Sequence, residues 1–220
     1  LSQTQRRISK PDRPRFTREE WSVVRHHKTP RDVQRWLRRL PYNVEKGAKT
    51  LRSFRGVVRA GTAHCLEAAL CAATILEQHG YPTRLLSFES VDLLDHVIYP
   101  FVEDGRWGAV ARSRDPGLHG RKPVFRSARA LAASFMEPYV DLTGRITGFT
   151  VVDLEELGGY DWRLSERNVW KVERWLNECT YAPLTMSDRR YARLLEQYRR
   201  FKKRFPDRKP LYYDNRHTWL

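Results

Sequence analysis

The sequence predicts an α+β domain in which a buried central helix packs on an antiparallel sheet, with further helices before and after it. Three observations lead to that class. Residues 62–78 carry Leu66, Ala69, Leu70, Ala72, Ala73, Ile75 and Leu76 at helical spacing and leave little polar surface, so this helix must be buried. After Gly80 the period shortens, and "PTRLLSFES" and "LDHVIYPFV" read as strands. Between the second of these and "WGAVARS", the stretch "EDGR" holds the Asp-Gly pair of a tight two-residue hairpin, which makes the two neighbours antiparallel.

The remaining elements follow in order. Residues 1–15 are polar, contain Pro11 and Pro14, and read as a disordered basic arm. Thr17 and Glu20 form a capping box for a helix over 17–27. Thr29 and Pro30 start a second helix, striped by Val33, Trp36, Leu37 and Leu40 and stopped by Pro41. "KTLRSFRGVVRAG" is a third helical run. Thr62 is the expected N-cap of the central helix and Gly80 its stop, which puts Cys65 in the first turn. Pro100 assigns the second strand to an edge or a bulge. "SARALAASFMEPYV" is a helix and "ITGFTVVDL" a strand; helices over 166–178, capped by Ser165, and over 188–205 complete the chain. In the last of these Tyr191, Leu194, Leu195, Tyr198 and Phe201 form one stripe that packs on the domain. The organisation is thus an arm, 1–15, and one domain, 16–220, with a helical N-terminal part to 60, a core over 61–155 and a helical C-terminal part from 156.

Composition narrows the functional classes. With 40% hydrophobic and 12% aromatic residues in 220, the chain can bury a substantial core. No stretch approaches the ~20 apolar residues of a membrane span, and the opening residues lack the apolar centre of a secretory signal, so a cytoplasmic location is expected. Three cysteines, Cys65, Cys71 and Cys179, fit reduced thiols better than a disulfide framework. Cys65 and Cys71, six apart, stand about 240° from one another on a helix and do not form a metal pair, so neither a metal nor another cofactor is expected. The net charge of +15 is concentrated at the ends: residues 1–60 hold 17 Lys and Arg against 5 Asp and Glu, and residues 161–220 hold 15 against 8. Such basic ends either are solvated faces or meet nucleic acid, an acidic protein or a membrane surface; no nucleic-acid motif accompanies them.

The chemistry centres on Cys65 and His96. A cysteine in the first turn of a helix feels unpaired backbone N–H groups and the positive end of the helix dipole, both of which favour thiolate. His96, the first histidine on a strand downstream, is the natural general base and acid for that thiol. The backbone N–H of Cys65 is the first oxyanion donor, with Asn43 or His64 as a second. His64 otherwise points to another helix face as a structural residue or, partly exposed there, shifts the pKa of the thiol; Cys71 and Cys179 are packing residues. Arg112, Arg114 and Arg121, beyond the hairpin, line a cleft mouth or lie in a solvated loop.

In order and spacing, "AHCLEAALCAATILEQHGYPTRLL" and "DHVIYPFVEDGRWGAV", residues 63–110, resemble the transglutaminase-like superfamily, whose fold is related to papain-like cysteine peptidases. The resemblance implies a transglutaminase-like core with Cys65 as nucleophile and His96 as base. It also implies a third member, an Asp on the strand returning from the hairpin, where this sequence has Ala111. Pairing through an Asp104–Gly105 turn sets Val102 against Trp107 and His96 against Ser113, so Ser113 or Asp115 is the expected orienting group. Two functions follow. One is cysteine-dependent acyl transfer on a protein, peptide or small amide substrate; the other is a catalytically degenerate fold that binds acidic partners or nucleic acid.

Overall fold

A computed structural model describes residues 10–93 and 96–220. Its elements run α1 (Arg18–His26), α2 (Pro30–Arg39), α3 (Phe54–Ala60), α4 (Cys65–Glu77), β1 (Arg84–Ser90), β2 (Val97–Glu103), β3 (Arg106–Val110), β4 (Arg121–Phe125), α5 (Ala128–Tyr139), β5 (Ile146–Asp153), α6 (Trp170–Asn177), β6 (Ala182–Pro183) and α7 (Asp188–Arg204). The strands form one antiparallel sheet in the order β4-β3-β2-β1-β5-β6. The fold is therefore α+β, with both faces of the sheet covered.

Alternation along the strands divides the core in two. Leu85, Val97, Tyr99, Val110 and Val152 face α1–α4, together with nearly the whole of α4. Leu86, Phe88, Ile98, Ala109 and Phe149 face α5, with Leu184 and Leu194 joining them. Successive strand side chains point to opposite faces, so each strand feeds both layers. Helix α4 lies against β2 on the first face, with α2 and α3 outside it.

Local chemistry explains most boundaries. Thr17 with Glu20, and Thr29 with Asp32, cap α1 and α2 reciprocally. Asp104 and Gly105 both take positive φ, 49° and 71°, as a twisted two-residue hairpin demands, and the resulting register sets Val102 against Trp107.

Several elements differ from the sequence-based expectations; α3, for one, is shorter than the run "KTLRSFRGVVRAG" and starts only at Phe54, with Ser53 as its cap. Helix α4 begins at Cys65 with His64 as N-cap, two residues later than Thr62, because Ala63 is held extended in a bridge to Tyr42. Helix α6 begins at Trp170 because the segment before it is tied to Leu51: the Asn168 side chain accepts the Leu51 N–H and the Val169 N–H donates to the Leu51 carbonyl. Pro100 sits in an interior strand; the β1 ladder stops at Ile98, so Pro100 pairs only with Ala109 of β3. Strand β4, in the stretch beyond the hairpin expected as a cleft mouth or solvated loop, pairs with β3 and carries Arg121. Residues 10–15 are ordered: Pro11 is buried and its carbonyl accepts from Gln78, while Arg15 pairs with Asp161. The rest of the expected disordered arm, 1–9, lies outside the described residues.

Candidate active site

Cys65 is the first residue of α4 and is partly exposed at the floor of a cleft of about 500 Å³. Tyr42, Thr50, His64, His96, Leu118 and Tyr213 are among the residues that line it. The local sequence puts the thiol there: the extended bridge at Ala63 ends the preceding segment, and the helix that follows is all core.

Two imidazoles meet the thiol. Burial opposes its ionisation, but hydrogen bonds from His64 and His96 and the positive charge of both rings outweigh that and hold Cys65 well below the ordinary thiol range. Burial likewise opposes the charge on His64, yet the Cys65 thiolate and the Glu67 carboxylate raise it to about 9. Cys71 is fully buried and pushed well above the usual range by desolvation, and Cys179, whose Sγ donates to the Trp175 carbonyl at 3.2 Å, is also raised by desolvation. Of the three cysteines only Cys65 is activated.

His96 precedes β2, and its ring is buried between Phe88, stacked at 6.0 Å and 7°, and Phe135 at 6.0 Å. Its Nε2 lies 3.0 Å from the carbonyl oxygen of Leu118. A carbonyl only accepts, so the proton belongs on Nε2 and Nδ1 is left to face the thiol.

Neither expected orienting residue makes this contact. The β2–β3 ladder ends at Tyr99 and Val110, short of the extrapolated His96–Ser113 pairing. Ser113 turns its hydroxyl to the Asp115 N–H at 3.1 Å, and Asp115 pairs with Lys209 at 2.7 Å. Ala111, where the superfamily resemblance implies an acid, lies in the α5-side core, and its backbone is held from both sides by the Gln34 amide at 2.9 Å. Asp95 lies outside the described residues.

His64 belongs to the site because, as N-cap, it is extended (φ −91°, ψ −177°) and not helical, so its ring is free of the helix-face geometry that would turn it aside. Its Nε2 meets the Thr50 carbonyl at 2.9 Å. Below it the fully buried Glu67 carboxylate accepts from the His64 N–H, the Arg52 N–H, the Thr50 hydroxyl and the Asn43 amide. The Asn43 amide also donates to Thr50, so it is committed to this network and does not serve as an oxyanion donor. The Cys65 N–H donates to the Tyr42 hydroxyl, and burial, reinforced by the Cys65 charge, pushes that phenol up.

Of the three arginines beyond the hairpin, Arg114 lines the cleft. Arg112 turns inward to the Ser113 and Leu40 carbonyls, and Arg121 is fully buried. Among the described residues no group of three or more His, Cys, Asp or Glu side chains is arranged to hold a metal, and no helix is long and apolar enough to cross a membrane. Two signals in the sequence bear on what was not anticipated: "HCLE" spaces His64 and Glu67 as a capping box, and "PY" puts Tyr42 just after the α2 stop. The Leu118 carbonyl has no such signal, since every residue carries one. Compared with known proteins, the chain matches no protein-family model and no curated sequence.

Proposed function

We propose that this chain is a transglutaminase-like cysteine enzyme that transfers an acyl group from an amide or ester, through a thioester on Cys65, to water or an amine. The observation that carries the proposal is the thiol at the first position of α4, hydrogen-bonded by two imidazoles, one of them fixed by an acceptor-only carbonyl.

In this reading the Cys65 thiolate attacks the carbonyl carbon, forming the S–C bond, and the carbonyl oxygen becomes an oxyanion. The Cys65 N–H, which in the free protein donates to Tyr42, is the donor nearest that oxygen. His96 Nδ1 gives its proton to the leaving amine or alkoxide as the C–N or C–O bond breaks. Water or an amine then attacks the thioester, its proton passes to His96, and thiolate is released. His64 supplies a second positive charge beside the sulfur while His96 moves the proton. The Leu118 carbonyl keeps the imidazole in one tautomer, as the carboxylate of a triad does, without balancing the imidazolium charge.

The test is to incubate the protein with p-nitrophenyl acetate and read p-nitrophenol release together with intact mass. A stoichiometric burst with one acetyl group on Cys65, discharged by hydroxylamine, is expected; His96→Ala should slow it by about 10²–10⁴-fold. Acylation no faster on Cys65 than on Cys179 would refute the enzyme reading and leave the fold as a binding module.

A further inference from the structure

Arg121 is a fully buried arginine for which, among the described residues, no carboxylate partner is found within ion-pair distance. A buried guanidinium without an acid is costly and has to be satisfied by other acceptors. Here the acceptors are mostly backbone. Nη2 donates to the Gly117 carbonyl at 2.7 Å and Nη1 to the His119 and Gly120 carbonyls at 2.8 and 3.3 Å. The Ser134 carbonyl and hydroxyl, each at 3.2 Å, take the rest. The guanidinium carbon lies 4.1 Å from the centre of the Phe135 ring and 5.6 Å from that of Trp219. Burial pulls the guanidinium down to about 9, so it stays charged at neutral pH.

In the four-residue turn 117–120, three carbonyls therefore go to Arg121. The fourth, that of Leu118, goes to His96. We propose that Arg121 is a positioning residue for His96: by gathering the Gly117, His119 and Gly120 carbonyls it turns the Leu118 carbonyl towards Nε2, and so fixes the imidazole without any triad acid. This rests on the acyl-transfer reading for its catalytic meaning, but the orientation of His96 can be tested by itself. Lysine cannot replace the arginine here, since an ammonium is a point donor and cannot span three carbonyls as the planar fork does.

The experiment compares wild type with Arg121→Lys in two readouts. One is the tautomer of His96 from long-range ¹H–¹⁵N correlation spectra; the other is the pH midpoint of Cys65 alkylation by iodoacetamide. In the Cys65-alkylated wild type, where no thiolate holds a second proton on the ring, His96 should carry its proton on Nε2, and in the unmodified wild type Cys65 should alkylate with a midpoint well below that of Cys179. In Arg121→Lys the Nε2-protonated signature should give way to a tautomer mixture, and the Cys65 midpoint should rise by about one pH unit, which is a tenfold loss of thiolate. A folded Arg121→Lys protein with both readouts unchanged would overturn the proposal. If that variant does not fold, Ser134→Ala, which takes the acceptor from Arg121 Nε and so loosens the guanidinium among its carbonyls, should shift both readouts in the same direction, and a folded Ser134→Ala protein with both unchanged would overturn the proposal. The readouts also separate the two readings. A wild-type Cys65 with no alkylation advantage defeats acyl transfer, whereas a His96 tautomer indifferent to Arg121 defeats the positioning role alone.

Discussion

At the scale of single residues, the site is governed by which groups share the buried space around one sulfur. His119 shows how position sets protonation. Its Nε2 lies 2.9 Å from the Ser113 carbonyl, while burial, assisted by the charges of Arg112 and Arg38, pulls its imidazole down to about 4. The unfolded chain takes up that proton near 6.5 and the folded chain only near 4, so between these values the unfolded state binds more protons and stability falls as pH falls. Urea titrations should show a loss of up to roughly 3 kcal/mol from pH 7 to pH 4 that is absent in His119→Gln. A wild-type and variant pair with parallel profiles over this range would remove His119 as the cause. Cys65, His64 and His96 were within reach of sequence reasoning because thiol and imidazole are distinctive groups at distinctive positions. His64 turns to the thiol, and not to another helix face, because the bridge at Ala63 shifts the helix start by two residues and converts a helical position into a cap.

At the scale of elements, the hairpin and the central helix carry the most information. The β2–β3 register could be counted from Asp104–Gly105 and it holds over the whole ladder, Glu103 against Arg106 to Tyr99 against Val110. Extrapolating it to His96 and Ser113 failed because a register has meaning only while strands stay paired. Beyond Val110 the chain turns into the 111–120 segment, where Ser113 serves a local turn and Leu118 presents its carbonyl. This bears on Ala111, where the superfamily resemblance implies an acid. Its side chain lies in a close-packed layer with Ile98 and Leu131, and its N–H and carbonyl are both engaged by Gln34. Placing a carboxylate there by Ala111→Asp should therefore cost several kcal/mol, on the order of 3, and bring no gain in Cys65 acylation rate. Chemical denaturation and the p-nitrophenol burst measure the two halves of that statement, and a stable, faster variant would contradict it.

At the scale of the whole molecule, the basic ends seen in the sequence are in part structural. Arg55 meets Glu20 at 2.7 Å, Lys209 meets Asp115, and Arg163, 2% exposed, clasps Glu77 through two nitrogens while also reaching Glu155. Glu77 belongs to α4 and Arg163 to the segment that precedes α6, so this pair ties that segment to the central helix. Burial raises the Glu77 carboxyl and Arg163 opposes that rise, which makes the pair sensitive to losing one partner. Arg163→Leu should lower stability by about 3–5 kcal/mol, and adding Glu77→Leu should recover most of the loss. A double variant no more stable than the single one would show that packing around Arg163, and not the stranded carboxylate, sets the cost.

What the sequence by itself determined is the α+β class, the burial of α4, the hairpin, and a cysteine at a helix start with a histidine at the head of the second strand; period, turn chemistry and side-chain type are local properties, and the residues state them. What only the tertiary structure decided is the group that steers His96 and the fate of the buried arginine. A backbone carbonyl is the same at every position, so whether it points at an imidazole depends on how a turn 22 residues away is folded and held.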